Sequence, residues 1–192
     1  MPAAEVLYTI SPSNDSTLAI ELFKTGLMRH KKHILFFENF SGNLRYTPQH
    51  PESSRVDVRI DARSIMCRDS WLKSKAQQRV TNYARHEALS ADRHPEIRFA
   101  STRICSKPLR GFVVEGELKI RGVGRIVKVN VVLTPGKEDR FQVDGDTTIH
   151  LSDFGIERPS ALLGLIGTKD EALIRLLLWA TPDGTAIRHS GM

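Results

Sequence analysis

The sequence predicts an all-β protein, an antiparallel barrel or sandwich of roughly eight or nine strands interrupted once by a helix. Three observations lead to this prediction. Apolar and polar residues alternate along most of the chain, which is typical of strands with one buried and one solvent-exposed face. Prolines and glycines separate the alternating runs at hairpin-like spacing. One segment alone replaces the alternation with a helical spacing.

The strands are predicted from an opening run, VLYTIS, to a closing run, EALIRLLLWA. Between them, apolar side chains recur at alternate positions of seven segments: Leu18, Ile20 and Leu22; Ile34, Phe36, Phe40, Leu44 and Tyr46; Val56, Val58 and Ile60; Ile97 and Phe99; Phe112, Val114, Leu118 and Ile120; Val127, Val129, Val131 and Leu133; and Phe141, Val143, Thr147, Ile149 and Leu151. The closing run is apolar on both sides and fits a strand or a helix by pattern. Its position after a series of strands favours a strand.

The exceptional segment, Asp69 to Ala91, predicts an amphipathic helix. Its apolar residues are spaced by three and four, at Leu72, Ala76, Val80, Tyr83, Ala84 and Ala88. Asp69 or Ser70 is a suitable N-cap, and Pro95 prevents the helix from continuing past His94. In an all-β chain, such a helix is expected to close one end of a barrel or to pack on its side.

Composition sets the class of protein and its domain organisation. The chain has 192 residues, of which 40% are hydrophobic and 26% charged. This predicts one globular domain over residues 1–181 and a flexible tail over residues 182–192. No apolar run approaches the roughly 18 residues of a transmembrane span, and the start lacks the pattern of a secretory signal. A cytoplasmic location is therefore expected.

Charge leaves a second function class open. Lysines and arginines outnumber acidic residues by 28 to 22, giving a net charge of +6. Such an excess allows contact with nucleic acid or an anionic membrane surface, although many basic surfaces have no such role.

The sequence offers weak candidates for a metal or a catalytic site. Cys67 and Cys105 are far apart and belong to no CxxC motif, so they are predicted to be isolated thiols. No G-x-S-x-G elbow or comparable local arrangement of a nucleophile and a base occurs, and His150 is expected on an outer face. We therefore expect no enzyme activity, no metal and no cofactor.

A basic run, RHKKH, allows two interpretations. It comprises Arg29, His30, Lys31, Lys32 and His33. The cations disfavour a divalent metal on the two histidines. The run is either a solvated turn between strands or a set of donors for an anionic group at a barrel mouth.

The tripeptide Asp153-Phe154-Gly155 matches the magnesium-binding motif of protein kinases, but the other kinase motifs are missing from the sequence. The glycines of IRGVGRIV give only G-x-G followed by strand-like sequence, so a nucleotide-binding loop is not predicted either. The tripeptide requires another explanation.

Several segments together resemble the YceI-like family. They are YTISPSNDST, NFSGNLRYTPQHPESSRVDVRIDARSI, ADRHPEIRFAST, GELKIRGVGRIVKVNVVL, TTIHLSDFGI and GLIGTKDEALIRLLL, in family order from Tyr8 to about Thr181. The resemblance explains the tripeptide, because SDFGI recurs in this family at the end of a late barrel strand. Phe154 is then expected to pack inward, with Gly155 allowing the chain to turn.

The resemblance implies an extended, lipocalin-like antiparallel β-barrel of about eight strands around an apolar tunnel. It also implies non-enzymatic binding, sequestration or transport of a long-chain polyisoprenoid or similar amphiphile. Residues expected to line the tunnel are Leu18, Ile20, Leu22, Ile34, Phe36, Phe40, Val58, Ile60, Phe99, Phe112, Val114, Leu118, Ile120, Val129 and Phe154. Arg29, His30, Lys31, Lys32 and His33 are candidates for an anionic head group. Transient membrane contact and a homodimer are further expectations, whereas nucleic acid is not an expected partner.

Overall fold

The computed structural model describes residues 5–109, 111–159 and 166–183. The predicted tail, residues 182–192, lies outside this range except for its first two residues. The strands are β1 (Val6–Ile10), β2 (Thr17–Gly26), β3 (Lys32–Phe37), β4 (Phe40–Tyr46), β5 (Arg55–Asp61), β6 (Ile65–Cys67), β7 (Glu96–Lys107), β8 (Gly111–Ile120), β9 (Val123–Pro135), β10 (Phe141–His150) and β11 (Ile166–Pro182). Helix α1 (Ser74–Asn82) continues into a π-helical turn, Tyr83–Ala88.

The strands close into an eight-stranded antiparallel barrel, which confirms the predicted fold class. Each of the eight strand positions around the barrel is called a stave here. Three of the eight staves are broken into two consecutive strands. β1 and β2 form the first broken stave, and both pair with β11. β4 and β3 form the second, with β4 paired to β1 and β3 paired to β2. β5 and β6 form the third, with β5 paired to β4 and β6 paired to β3. The remaining strands follow as a meander from β7 to β11. Pairing of β11 with β1 and β2 closes the barrel, and among the described strands the short β6 pairs on one side only, with β3.

The connection between β6 and β7 carries the helix to one end of the barrel, called here the helix end. The β2–β3 and β8–β9 turns lie at this end, whereas β1 begins and β11 finishes at the other. The backbone N–H of Cys67 donates a hydrogen bond to Oγ1 of Thr81, which connects β6 to α1. Of the two positions expected for the helix, the structure has the one at an end of the barrel.

The predicted helix was too long at its N-terminus. Helix α1 begins at Ser74, and the residue before it, Lys73, gives no side-chain cap. Asp69 does not cap the helix, because its carboxylate is bound by β3 and β6 instead. Leu72 still packs against the core from the segment ahead of the helix.

The Asp153-Phe154-Gly155 tripeptide lies at the end of a 3₁₀ turn, Leu151–Phe154, that follows β10 directly. Phe154 is 1% exposed within the core, and Gly155 has the left-handed backbone (φ 66°) that ends the turn. Asp153 is exposed. Guanidinium Nη1 of Arg121 donates to the Gly155 carbonyl at 2.7 Å and joins this turn to the β8–β9 hairpin. Phe154 therefore packs inward and Gly155 turns the chain, as the resemblance implied.

Candidate functional site

A cavity of about 420 Å³ occupies the barrel, within the usual size range of small-molecule pockets. Alternation along the strands builds its wall, because every second side chain faces the barrel axis. On β8, for example, Phe112, Val114, Leu118 and Ile120 line the cavity. The step from Phe112 to Ile120 covers about 27 Å of strand, or about 20 Å along the axis at an ordinary barrel tilt. The cavity is therefore long and almost entirely apolar.

Helix α1 and its π-helical extension supply the lining at the helix end. Val80, Ala84, Ala88 and Leu89 face the cavity, and Arg79 and Tyr83 lie beside them at the surface. Their spacing repeats the pattern that predicted an amphipathic helix. The apolar face of the helix therefore serves as one wall of the cavity.

Most of the residues predicted to line the tunnel do line this cavity. These are Leu18, Ile20, Leu22, Val58, Ile60, Phe99, Phe112, Val114, Leu118, Ile120 and Val129. Their part in binding a lipid remains a prediction. Phe40 and Phe154 are buried in the core but do not line the cavity.

The prediction was wrong for Ile34 and Phe36, which lie on the other face of β3. The inward residues of β3 are His33, Leu35 and Phe37. The stave breaks at residues 38–39, between β3 and β4, and the alternation shifts by one residue there. The ILFF run is apolar at every position, so the pattern could not reveal this shift, and an error of one residue reverses every side chain.

The RHKKH run is divided between different environments. Arg29 and His30 are exposed in the β2–β3 turn, and Lys31 lies 5.5 Å from the Trp71 ring. Lys32 faces outward and donates to Glu21 at 2.7 Å. Only His33 reaches the cavity. This arrangement does not support the prediction that the five residues bind a head group together.

His33 belongs to a buried polar cluster that sequence analysis did not find. Its Nδ1 lies 2.6 Å from Oδ2 of Asp69, and its ring stacks on Trp71 with centroids 5.3 Å apart. Oδ1 of Asp69 accepts the Ile34 backbone N–H at 2.9 Å, and Oδ2 also accepts the Cys67 thiol at 3.3 Å. The carboxylate thus holds the imidazole by Nδ1, and Nε2 does not take part in this contact.

Burial controls the protonation of this cluster. Loss of hydration lowers the pKa of His33, against the opposing effect of Asp69, and raises the pKa of Cys67 to about 11. At neutral pH, His33 is therefore a neutral imidazole that donates Nδ1–H to Asp69, and Cys67 is a thiol. The ligand atoms of His33, Cys67 and Asp69 lie within 4.8 Å of one another, a grouping that also suits a metal ion. The three side chains already hydrogen-bond to one another and the thiol is protonated, so we interpret the group as a hydrogen-bonded cluster and not as a metal site.

Two more polar residues face the cavity beside His33. Lys24 continues the inward series Leu18, Ile20, Leu22 on β2, and Thr168 is its direct partner on β11. Burial lowers the pKa of Lys24, and Thr168 is 4% exposed. Continuing the β2 alternation by one step would have found Lys24. Thr168 could not be found that way, because it depends on pairing between strands far apart in sequence.

The fold and cavity define the class of this protein: a closed β-barrel around one long apolar chamber with a small polar patch near the helix. Residues 8–177 match the YceI-like domain, and the chain belongs to that family. Within the described residues, no helix is long and apolar enough to cross a membrane.

Similar proteins are bacterial. A UPF0312 protein of Pseudomonas putida (strain W619) is 29% identical over 130 residues, which cover 65% of this chain and 64% of the relative. A UPF0312 protein of Azotobacter vinelandii is 27% identical over 127 residues, covering 64% and 62%. The chain thus matches slightly less than two thirds of these relatives.

Solved structures share the fold. BcnA of Burkholderia cenocepacia superposes with a TM-score of 0.68 at 19% identity, covering 86% of this chain and 96% of BcnA. A YceI protein of Campylobacter jejuni gives a TM-score of 0.57 at 17% identity, covering 78% and 84%.

Proposed function

We propose that this protein binds one long-chain amphiphile in the barrel cavity and carries or sequesters it without changing it chemically. A polyisoprenoid or a similar chain is the expected class of ligand. The observation that carries this proposal is the long apolar chamber, whose wall includes side chains from every stave and from the helix. A compact protein core ordinarily fills such space with its own side chains.

The energetics favour a long hydrocarbon tail. Transfer of each methylene from water to an apolar site is worth about 0.8 kcal/mol before the cost of immobilising the ligand. Because the wall offers few polar groups, the length and bore of the chamber select the tail. Removal of the lipid from water requires no catalytic residue, and we propose a binding protein without enzyme activity.

Native purification, solvent extraction and mass spectrometry test this proposal. A long-chain lipid at about one molecule per chain is the expected result. Delipidated protein should rebind that lipid with an affinity that changes little between low and high salt. An empty extract together with failure to bind any long-chain probe would refute the proposal. A steep loss of affinity for nucleic acid or anionic vesicles with added salt would instead support binding through the basic surface.

A further inference from the structure

Lys24, His33 and Thr168 form a continuous polar patch on the inner wall of the barrel, called here the inner polar patch. The strand register brings them together, because Lys24 pairs with Thr168 and Leu22 pairs with His33. All three line the cavity near the helix end. The largely apolar chamber therefore has a polar terminus at the helix end.

Two donors of this patch lack acceptors among the described residues. Oγ1 of Thr168 is buried and has no hydrogen-bond partner there. The Lys24 ammonium is half-buried and likewise has no hydrogen bond or ion pair within that part of the chain, although the Asp69 charge acts on it. Unsatisfied buried donors are costly, and an acceptor on a ligand would remove that cost.

The charged side chains of the site balance one another, so an anion and a proton can bind there together without leaving a net charge. The Asp69 carboxylate offsets the charge of Lys24, and Arg79 and Glu157, which also line the cavity, carry opposite charges. His33 is neutral when it donates Nδ1–H to Asp69, so its Nε2 is an acceptor. If Nε2 gains a proton, it becomes a third donor of the inner polar patch.

Resting on the function proposed above, we infer that the inner polar patch is a head-group subsite for a long-chain monoanion with a carboxylate-like head. Lys24 and Thr168 donate to the head, and His33 takes up a proton on Nε2 as the anion binds. Asp69 holds the imidazole and favours its charged form. The tail extends from this patch along the apolar chamber toward the opposite end.

Because anion binding is linked to proton uptake by His33, the affinity for the anion should depend on pH. The groups that face His33 are Lys24 on β2, Cys67 on β6 and Asp69 ahead of α1. The Cys67 thiol remains protonated between pH 6 and 8.5, because burial raises its pKa to about 11. Since an ordinary carboxylic acid is ionised throughout this range, proton uptake by His33 should make carboxylate binding tighter as the pH falls from 8.5 to 6.

Isothermal titration calorimetry with dodecanoate and 1-dodecanol tests the inference on delipidated full-length protein. We expect dodecanoate to bind about tenfold more tightly than dodecanol at pH 6, with proton uptake revealed by buffers of different ionisation enthalpy. Lys24→Met should remove this preference by weakening dodecanoate binding about tenfold more than dodecanol binding. Thr168→Val should reduce the preference in the same sense. Lys119→Met and Thr134→Val, on exposed outward positions, are the matched controls.

His33→Asn tests the proton. Its amide retains a donor for Asp69 but does not titrate, so proton uptake should disappear while dodecanol still binds. If this variant fails to fold, the Lys24 and Thr168 variants still decide the question.

The results separate the subsite from the proposed function. Equal affinity of the native protein for dodecanoate and dodecanol would overturn the subsite and leave the carrier function intact. An equal loss of both ligands in Lys24→Met would do the same. Failure of the native protein to bind either compound would overturn both.

Discussion

The imidazole Nδ1 of His33 lies 2.6 Å from Oδ2 of Asp69, and this contact joins strand β3 to the segment that precedes helix α1. The side chain of Asp69 is only 2% exposed and that of His33 10% exposed. The same carboxylate binds a backbone N–H of β3 and the thiol of β6. Asp69 therefore fastens two strands and the helix connection at one buried point.

Asp69→Asn should lower the free energy of unfolding by about 2 kcal/mol. An amide presents only one acceptor oxygen, whereas the carboxylate accepts three hydrogen bonds, and buried bonds to a charged acceptor are among the stronger ones. Urea unfolding followed by tryptophan fluorescence measures the change. Asp61→Asn is the control, because among the described residues its carboxylate accepts one hydrogen bond, from the exposed Arg63 backbone N–H. Equal effects of the two substitutions would contradict the role given to Asp69.

Stability should fall on acidification partly through His33. Its pKa in the folded protein lies below its ordinary value, because burial opposes the charged form. Around and below pH 6.5 the unfolded chain therefore binds more protons at this residue than the folded chain, and unfolding becomes easier as the pH falls. The stability lost between pH 7 and pH 5 should be smaller in His33→Asn than in the native protein. Parallel stability curves for the two proteins would contradict this assignment.

The strand pattern could be predicted from sequence because a barrel wall requires alternation. It identified the inward faces of β2, β5, β8 and β9 from local residues alone. It failed where local sequence contains no alternation, in the ILFF run of β3, and where a stave breaks. Helix periodicity similarly identified the face of α1, but the tertiary role of Asp69 displaced the predicted N-cap.

The polar terminus of the chamber could be predicted only in part. Lys24 follows from continued alternation, whereas the approach of Thr168 and Asp69 depends on register and on a connection between distant segments. The basic run around His33 drew attention to the correct strand. Burial and direction of each side chain, which sequence does not give, separated His33 from its four basic neighbours.

The two cysteines should differ in reactivity. The pKa of the Cys67 thiol is about 11 in its buried position, so very little thiolate exists at pH 8, whereas Cys105 is partly exposed on β7. We expect a disulfide reagent such as Ellman's reagent to modify one thiol per native chain quickly and the second only on unfolding. Cys105→Ser should remove the fast reaction. Persistence of that reaction in Cys105→Ser would show that Cys67 is accessible.

Adjacent substitutions on β9 can separate the chamber from the outer surface. Val127 lines the cavity, whereas its neighbour Ile126 is 61% exposed on the outside. Val127→Asp should weaken binding of an apolar probe about tenfold or more, because it brings a hydrated charge to the wall of the tail. Ile126→Asp places the same charge in solvent and should leave affinity unchanged. Equal affinity of the two folded variants would argue against binding in this chamber.

Gly116 makes room for an aromatic ring of the cavity wall. A Cβ atom at this position would lie 2.5 Å from the Ala100 carbonyl oxygen and 2.7 Å from Cζ of Phe99. Gly116→Ala should therefore push the Phe99 ring toward the chamber and lower the stability by about 1–3 kcal/mol, as overpacking usually does.

Affinity for a long-chain probe should fall in the same variant, because the displaced ring occupies space that the tail uses. The double variant Gly116→Ala/Phe99→Leu removes the ring, which should restore much of the affinity. Stability should recover only partly, since the contact with the Ala100 carbonyl remains. Urea unfolding and probe titration on the same preparations measure both effects. If the Gly116→Ala variant keeps the stability and the affinity of the native protein, the wall can adjust at this point. The close contact between Phe99 and Gly116 would then determine neither stability nor affinity.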